Sequence, residues 1–224
     1  MQIDPSSAIL AIGGLGTASF ALVDSTKAAW GGVSRCGFGH VAKVLDHLFP
    51  ARVNKTDKSN PLGYAQVRDV LFANWLNGTP LADQKSIAKT LIKLRLNGDN
   101  AAHLARATGV DADLLESLAK KYANGEAASE AEQNVAGRFD LTLATLLDEG
   151  YQRADQMYRN AAKFLAIIFS VALALAGRLV LDDPHISYGI ALIAGLLAAP
   201  LAPISKDLAS ALQASTKMLQ LLKK

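Results

Sequence analysis

A single cysteine, Cys36, stands in the 224 residues, which excludes an internal disulfide framework and leaves the compartment open. Charge is also scarce: 19% of residues carry it, against about 25% in average chains. The formal net charge of +3 is too small to argue for nucleic acid, so no nucleic-acid partner is expected. Proline and glycine are not enriched enough for a disordered chain, and no internal repeat or low-complexity tract is present.

Motifs that carry chemistry are missing as well. The glycines of Trp30 to His40 (WGGVSRCGFGH) follow neither the GxGxxG order nor a GK[ST] ending, so the segment reads as a flexible interfacial loop. Cys36 near His40 lacks the third, orienting group that a nucleophile and base require. His40 and His47, seven apart beside Asp46, lack the Cys or Glu cluster that would complete a metal site. A membrane-surface enzyme would draw on His40, His47, Asp140, Asp148 and Glu149, which are scattered; Asp140 and Glu149, nine apart, fall on different faces of a helix. No catalytic residue, metal or cofactor is therefore assigned.

Long uncharged runs are what the chain does have. From Phe164 to Gly177 no residue is charged, and apart from Arg178 the run stays apolar to Leu181. From Ile186 to Ile204 there is again no charge. Each run approaches the roughly 20 residues needed to cross about 30 Å of hydrocarbon. Between them, Asp182, Asp183, Pro184 and His185 form a polar turn, so the pair reads as a transmembrane hairpin. A third, shorter run, Ala8 to Val23, is crowded with small residues. Gly14 and Ala18, four apart and beside Gly13, have the small-xxx-small spacing that lets membrane helices approach closely, toward the hairpin or a second subunit. Met1 to Ser7 holds Asp4 and no Lys or Arg, unlike the basic start of a signal peptide, so the run is expected to be a retained span.

Orientation follows from the basic residues flanking the runs. Lys27, Arg35 and Lys43 follow the first; Arg153, Arg159 and Lys163 precede the second; Lys206, Lys217, Lys223 and Lys224 follow the third. The hairpin turn holds only acids and His185, with Arg178 one turn inside and able to snorkel. All three spans then agree on an N-terminus outside, a middle domain and C-terminus in the cytoplasm. Tyr151 and Tyr158, with Arg153, Arg159 and Lys163, have the aromatic and basic character of a helix entering an anionic membrane face.

The middle of the chain is a series of capped amphipathic helices. Val41, Val44, Leu45 and Leu48 repeat at helical spacing up to Phe49 and Pro50, a polar loop spans Arg52 to Asn60, and a helix follows over about Leu62 to Asn77. Thr79 is expected to cap the next, with Pro80 in its first position and its end at Gly98. Asp99 is expected to start a short helix closed by Gly109, and Asp111 another, Ala112 to Asn124, closed by Gly125. His103 to Lys121 has a helix-turn-helix layout, but Asp111, Asp113 and Glu116 at the start of its second helix would repel a duplex, so it reads as a plain helix pair. Ser129 and Glu132 form a capping box, and with no proline from Glu130 to Pro184 one helix of about 50 residues is expected to run on through the second span. The tail, with Leu208, Leu212, Leu219 and Leu222 among polar residues, reads as amphipathic.

The fold class expected is an all-α integral membrane protein: one N-terminal transmembrane helix within 1–29, a cytoplasmic helical bundle over 30–150, a juxtamembrane helix and hairpin over 151–205, and an amphipathic tail over 206–224. In general layout it resembles the many small bacterial inner-membrane proteins with a cytoplasmic helical domain between one span and a hairpin. The expected role is non-enzymatic: a self-associating scaffold or accessory subunit whose partners are the lipid bilayer, copies of itself or another membrane protein. The alternative is an oligomeric pore or membrane-permeabilising effector.

Overall fold

The computed structural model describes residues 5–49, 62–181 and 186–204, and they form eight helices and no strand. In chain order these are α1 (Pro5–Trp30), α2 (Ser34–Leu48), α3 (Tyr64–Leu76), α4 (Leu81–Leu94), α5 (Gly98–Thr108), α6 (Ala112–Asn124), α7 (Glu130–Leu181) and α8 (Tyr188–Ile204). The polar loop at 52–60, the hairpin turn at 182–185 and the tail at 206–224 lie outside the described residues. The chain divides into two compact units, 34–158 on one hand and 1–33 with 159–224 on the other, and α7 belongs to both.

Unit 34–158 is a helical bundle with a conventional apolar core. Val41, Leu45 and Leu48 of α2, Val67 and Leu71 of α3, Ile92 of α4, Leu104 of α5, Leu115 and Leu118 of α6, and Phe139, Leu143 and Leu147 of α7 are all buried in it. Trp75 ties the ends together: its indole Nε1 donates to the carbonyl of Ser34 at 2.9 Å, and its ring meets Tyr151 and Tyr158 of α7 at 6.4 and 6.3 Å. Close approach of α2 and α7 depends on two glycines. A methyl group at Gly37 would overlap the carbonyl oxygen of Ala154, and one at Gly150 would stand 2.6 Å from Cγ2 of Val44.

Four local expectations are corrected. The glycine-rich stretch is not a loop: only Gly31 and Gly32, both with positive φ, form a turn, and Gly37 and Gly39 lie inside α2. Propensity disfavours glycine in a helix by about 1 kcal/mol, but Gly37 is retained where nothing larger fits. Thr79 does not cap α4; its hydroxyl donates to Asn74 at 3.2 Å, and Pro80 holds the N-cap position without a side-chain bond. α4 ends at Leu94, not Gly98, and α5 is capped by Asn97 and not Asp99: the Asn97 side chain accepts from the backbone of Asp99 and Asn100, and Asn100 returns the bond to Asn97 N–H at 3.1 Å. Asn is as good a cap as Asp, and a cap with a reciprocating residue three positions on satisfies two orphan donors at once.

Other start and stop signals act as their chemistry dictates. Asp111 accepts from Leu114 N–H at 2.9 Å to open α6, and Gly109 and Gly125 close α5 and α6 in the left-handed conformation. α7 opens on its capping box, where Glu132 does more than cap. Its carboxylate accepts from Lys121 at 2.8 Å, Ser117 at 2.7 Å, and both the backbone N–H and hydroxyl of Ser129. These donors, Lys121 first, hold its pKa well below the usual carboxylate range, at about 2. An unfolded Glu titrates near 4.3. The stabilisation is therefore present in full above about pH 5 and is lost as pH falls toward about 2. In thermal unfolding followed by Trp75, with Trp30 replaced by Phe, Glu132→Gln is expected to melt several degrees below the parent at pH 7 and to converge with it at the acid end.

Unit 1–33 with 159–224 is built the opposite way. Apart from Val23 and Val33, its buried positions are small: Gly13, Gly16 and Ser19 on α1, Ala166 and Ser170 on α7, Ala191, Gly195, Ala198, Ala199 and Ala202 on α8. Its large apolar side chains point outward, among them Phe164 and Ile168 on α7 and Ile190, Ile193, Leu196 and Leu197 on α8. α1 and α7 each contain a stretch long and apolar enough to cross a membrane, while α8 is shorter. Only 22% and 11% of those two stretches are buried, far less than in the core helix of a water-soluble protein.

Candidate functional site

The small residues of this unit create its closest contacts. A methyl group at Gly16 would overlap the carbonyl oxygen of Ala198, so α1 lies against the backbone of α8. A methyl group at Gly195 would stand 2.6 Å from Cα of Val171, so α7 and α8 meet equally closely. There the Ser170 hydroxyl donates to the carbonyl of Gly195 at 2.7 Å, a polar tie inside an apolar seam. Small residues let helix backbones approach this closely, a mode of packing enriched among membrane helices. Ser19, also in the seam, satisfies itself locally on the carbonyl of Leu15 at 2.8 Å, as the exposed Thr17 does on that of Gly13 at 3.0 Å.

Of the three residues expected on the packing face, Gly13 lies in the seam, whereas Gly14 and Ala18 are exposed on the far side of α1, with nothing within 4 Å of a methyl group placed on Gly14. Gly16 and Gly195, which make the actual contacts, were not singled out. Their signal was present in the register of small residues: Gly13, Gly16 and Ser19 recur every three positions, and Ala191, Gly195, Ala198 and Ala202 every three or four.

The aromatic and basic stretch of α7 also divides by face. Tyr151, expected at a membrane surface, is 1% exposed in the core of unit 34–158, because with Ala154 it occupies the helix face turned to α2 and Trp75. Its hydroxyl finds no hydrogen-bond partner among the described residues, and burial pushes its pKa far above the usual phenol range. Tyr158 is half-buried against Trp75. Arg153, Arg159 and Lys163 are exposed, and Arg153 pairs with Glu149 at 2.7 Å. Arg178 lies with its guanidinium 5.4 Å from the ring centre of Tyr188, a cation–π contact joining α7 to α8.

Asp140, Asp148, Glu149 and His47 are each held by a structural partner. Asp140 accepts from Lys93 at 2.9 Å and Lys89 at 3.0 Å, which hold its carboxyl below the usual range. Asp148 pairs with Lys85, and His47 Nε2 meets the carbonyl of Ala107 at 3.0 Å. His40, His47 and Glu149 do border one shallow pocket of about 190 Å³, together with Arg153. Among the described residues no three His, Cys, Asp or Glu side chains are grouped so as to hold a metal ion. Cys36 is exposed on α2. Comparison with protein-family models, with curated proteins and with solved structures finds no match to this chain.

Proposed function

We propose that this chain is a non-enzymatic integral membrane protein that associates with copies of itself and holds residues 34–158 at the cytoplasmic face as an interaction module. The observation that carries the reading is the inversion of side-chain size between the units. In 34–158 large apolar residues are inside; in the other unit small ones are inside and Phe, Ile and Leu face out. Exposing that many large apolar side chains to water is unfavourable at about 25 cal/mol per Å², and lipid removes the cost. The distribution of Lys and Arg supports the orientation with the N-terminus outside and both 34–158 and the C-terminus in the cytoplasm. For self-association the support is α1, whose outward face carries Ala11, Gly14, Ala18 and Ala21 where α7 and α8 present bulky residues.

Three measurements test this. The protein is expected to resist extraction by alkaline carbonate; release into the soluble fraction overturns the membrane reading. Cys36 serves as a topology reporter: a membrane-impermeant maleimide is expected to label it only after permeabilisation, whereas Ser7→Cys in a Cys36→Ser background is labelled from outside. In mild detergent the protein mass, corrected for bound detergent, is expected to be a multiple of one chain and to fall toward the monomer on Gly14→Leu or Ala18→Leu. A monomer at every concentration removes self-association.

A further inference from the structure

One concavity in unit 34–158 is a trench of about 850 Å³ whose walls are α4 and α6 and whose floor is α7. Its floor is apolar, with Phe139 and Ala136 of α7, and Leu118 adds an apolar side chain from the α6 wall. Its edges carry two of the large apolar side chains that this unit leaves in solvent, Leu94 at 63% exposed and Tyr122 at 59%. An exposed leucine and tyrosine flanking one trench form a patch, not isolated surface residues.

The charged side chains that line the trench are basic: Lys89 and Lys93 from α4 and Lys120 from α6, with no Asp or Glu among the described lining residues. The carboxylates that answer these lysines stand outside the lining. Asp140 is shared by Lys89 and Lys93, one carboxylate for two ammonium groups, and Glu116 pairs with Lys120 one turn back along α6.

We propose that this trench is a docking site for an acidic amphipathic helix of a partner protein, which would lay its apolar face between Leu94 and Tyr122 and set its carboxylates against Lys89, Lys93 and Lys120. Two walls and an apolar floor suit a helix, which presents a narrow ridge of side chains at i, i+3 or i+4, and i+7. A lipid surface is flat and would meet the lysines without filling the floor. Complementary charge fixes the orientation of the helix and speeds its capture, and the buried leucine-type side chains supply the affinity. This deepens the reading of 34–158 as an interaction module, but it does not require membrane insertion or self-association. The mass measurement can fail while the trench still binds, and the reverse.

The test uses the full chain in nanodiscs of zwitterionic lipid and a fluorescent helical peptide of about 15 residues, with Leu at i, i+4 and i+7 flanked by Glu. Saturable binding by anisotropy is expected, weaker at high salt, with no binding to empty nanodiscs. Lys93→Glu with Lys120→Glu is expected to weaken it on the order of tenfold or more, and to gain affinity for the same peptide carrying Lys in place of Glu. Leu94→Ser with Tyr122→Ser, at exposed positions that leave the core intact, is expected to weaken both peptides. Failure of the acidic peptide to saturate, or equal binding by the charge-reversed variant, overturns the proposal. So does a trench whose substitutions alter binding to phosphatidylserine vesicles and leave peptide binding unchanged.

Discussion

Gly16→Ala is expected to pull α1 away from α8 and to cost about 3 kcal/mol, the upper end of the usual penalty for overpacking. The added methyl meets a main-chain carbonyl, that of Ala198, and Ala202 Cβ at 3.0 Å, so no flexible side chain is available to move aside. Ordinarily Gly→Ala in a helix stabilises by up to about 1 kcal/mol, and that gain is overwhelmed here. Gly14→Ala, two residues away on the exposed side, serves as the control and should be neutral or slightly stabilising to the bundle. Thermal unfolding in detergent, with spin labels on the outer faces of α1 and α8 to read their separation, distinguishes the two. If Gly16→Ala left both stability and separation unchanged, the α1–α8 contact would be wrong.

The second large effect is expected at Gly37. A methyl there meets the carbonyl oxygen of Ala154 and the indole edge of Trp75, with Cζ2 at 2.9 Å. Displacing Trp75 would also threaten its hydrogen bond to Ser34 and its ring contacts with Tyr151 and Tyr158. Gly37→Ala should destabilise unit 34–158 by about 2 kcal/mol net of the propensity gain. Gly39→Ala, in the same helix with open space around it, should stabilise by about 0.5–1 kcal/mol. Denaturation followed by Trp75 fluorescence, again with Trp30 replaced by Phe, reads both. Opposite signs two residues apart separate close packing from helix propensity; equal signs would sink the assignment.

Both predictions concern glycines, and glycine is where sequence reasoning was weakest. Apolar periodicity placed α3, α6 and the long α7 correctly because burial of a face at 3.6-residue spacing depends on local order alone. The caps at Asp111, Ser129 and Glu132 were legible for the same reason: each bond spans three residues. Gly37 and Gly39 read as breakers, since nothing in their neighbours announces that Ala154, more than a hundred positions on, will press against one of them. Tyr151 was misplaced by the same blindness to distant partners. Its basic neighbours suggested a membrane surface, while Trp75 had claimed its ring for the core. Among the small residues of α1, spacing showed that a close contact was available but not which side would make it; Gly13 and Gly16 face the seam, and Gly14 and Ala18 face out.

The sequence by itself determined an all-helical chain, the order and most boundaries of its helices, and the runs apolar enough for a bilayer, because hydrophobic spacing, caps and net charge are local properties. Tertiary structure alone decided which glycines are irreplaceable and that small residues fill one unit's interior while large ones fill the other's. It also brought α4, α6 and α7 together to enclose a trench lined by three lysines. Those outcomes depend on contacts between residues far apart in the chain, and the free energy of such contacts is fixed by the shape of the opposing surface, which no local pattern encodes.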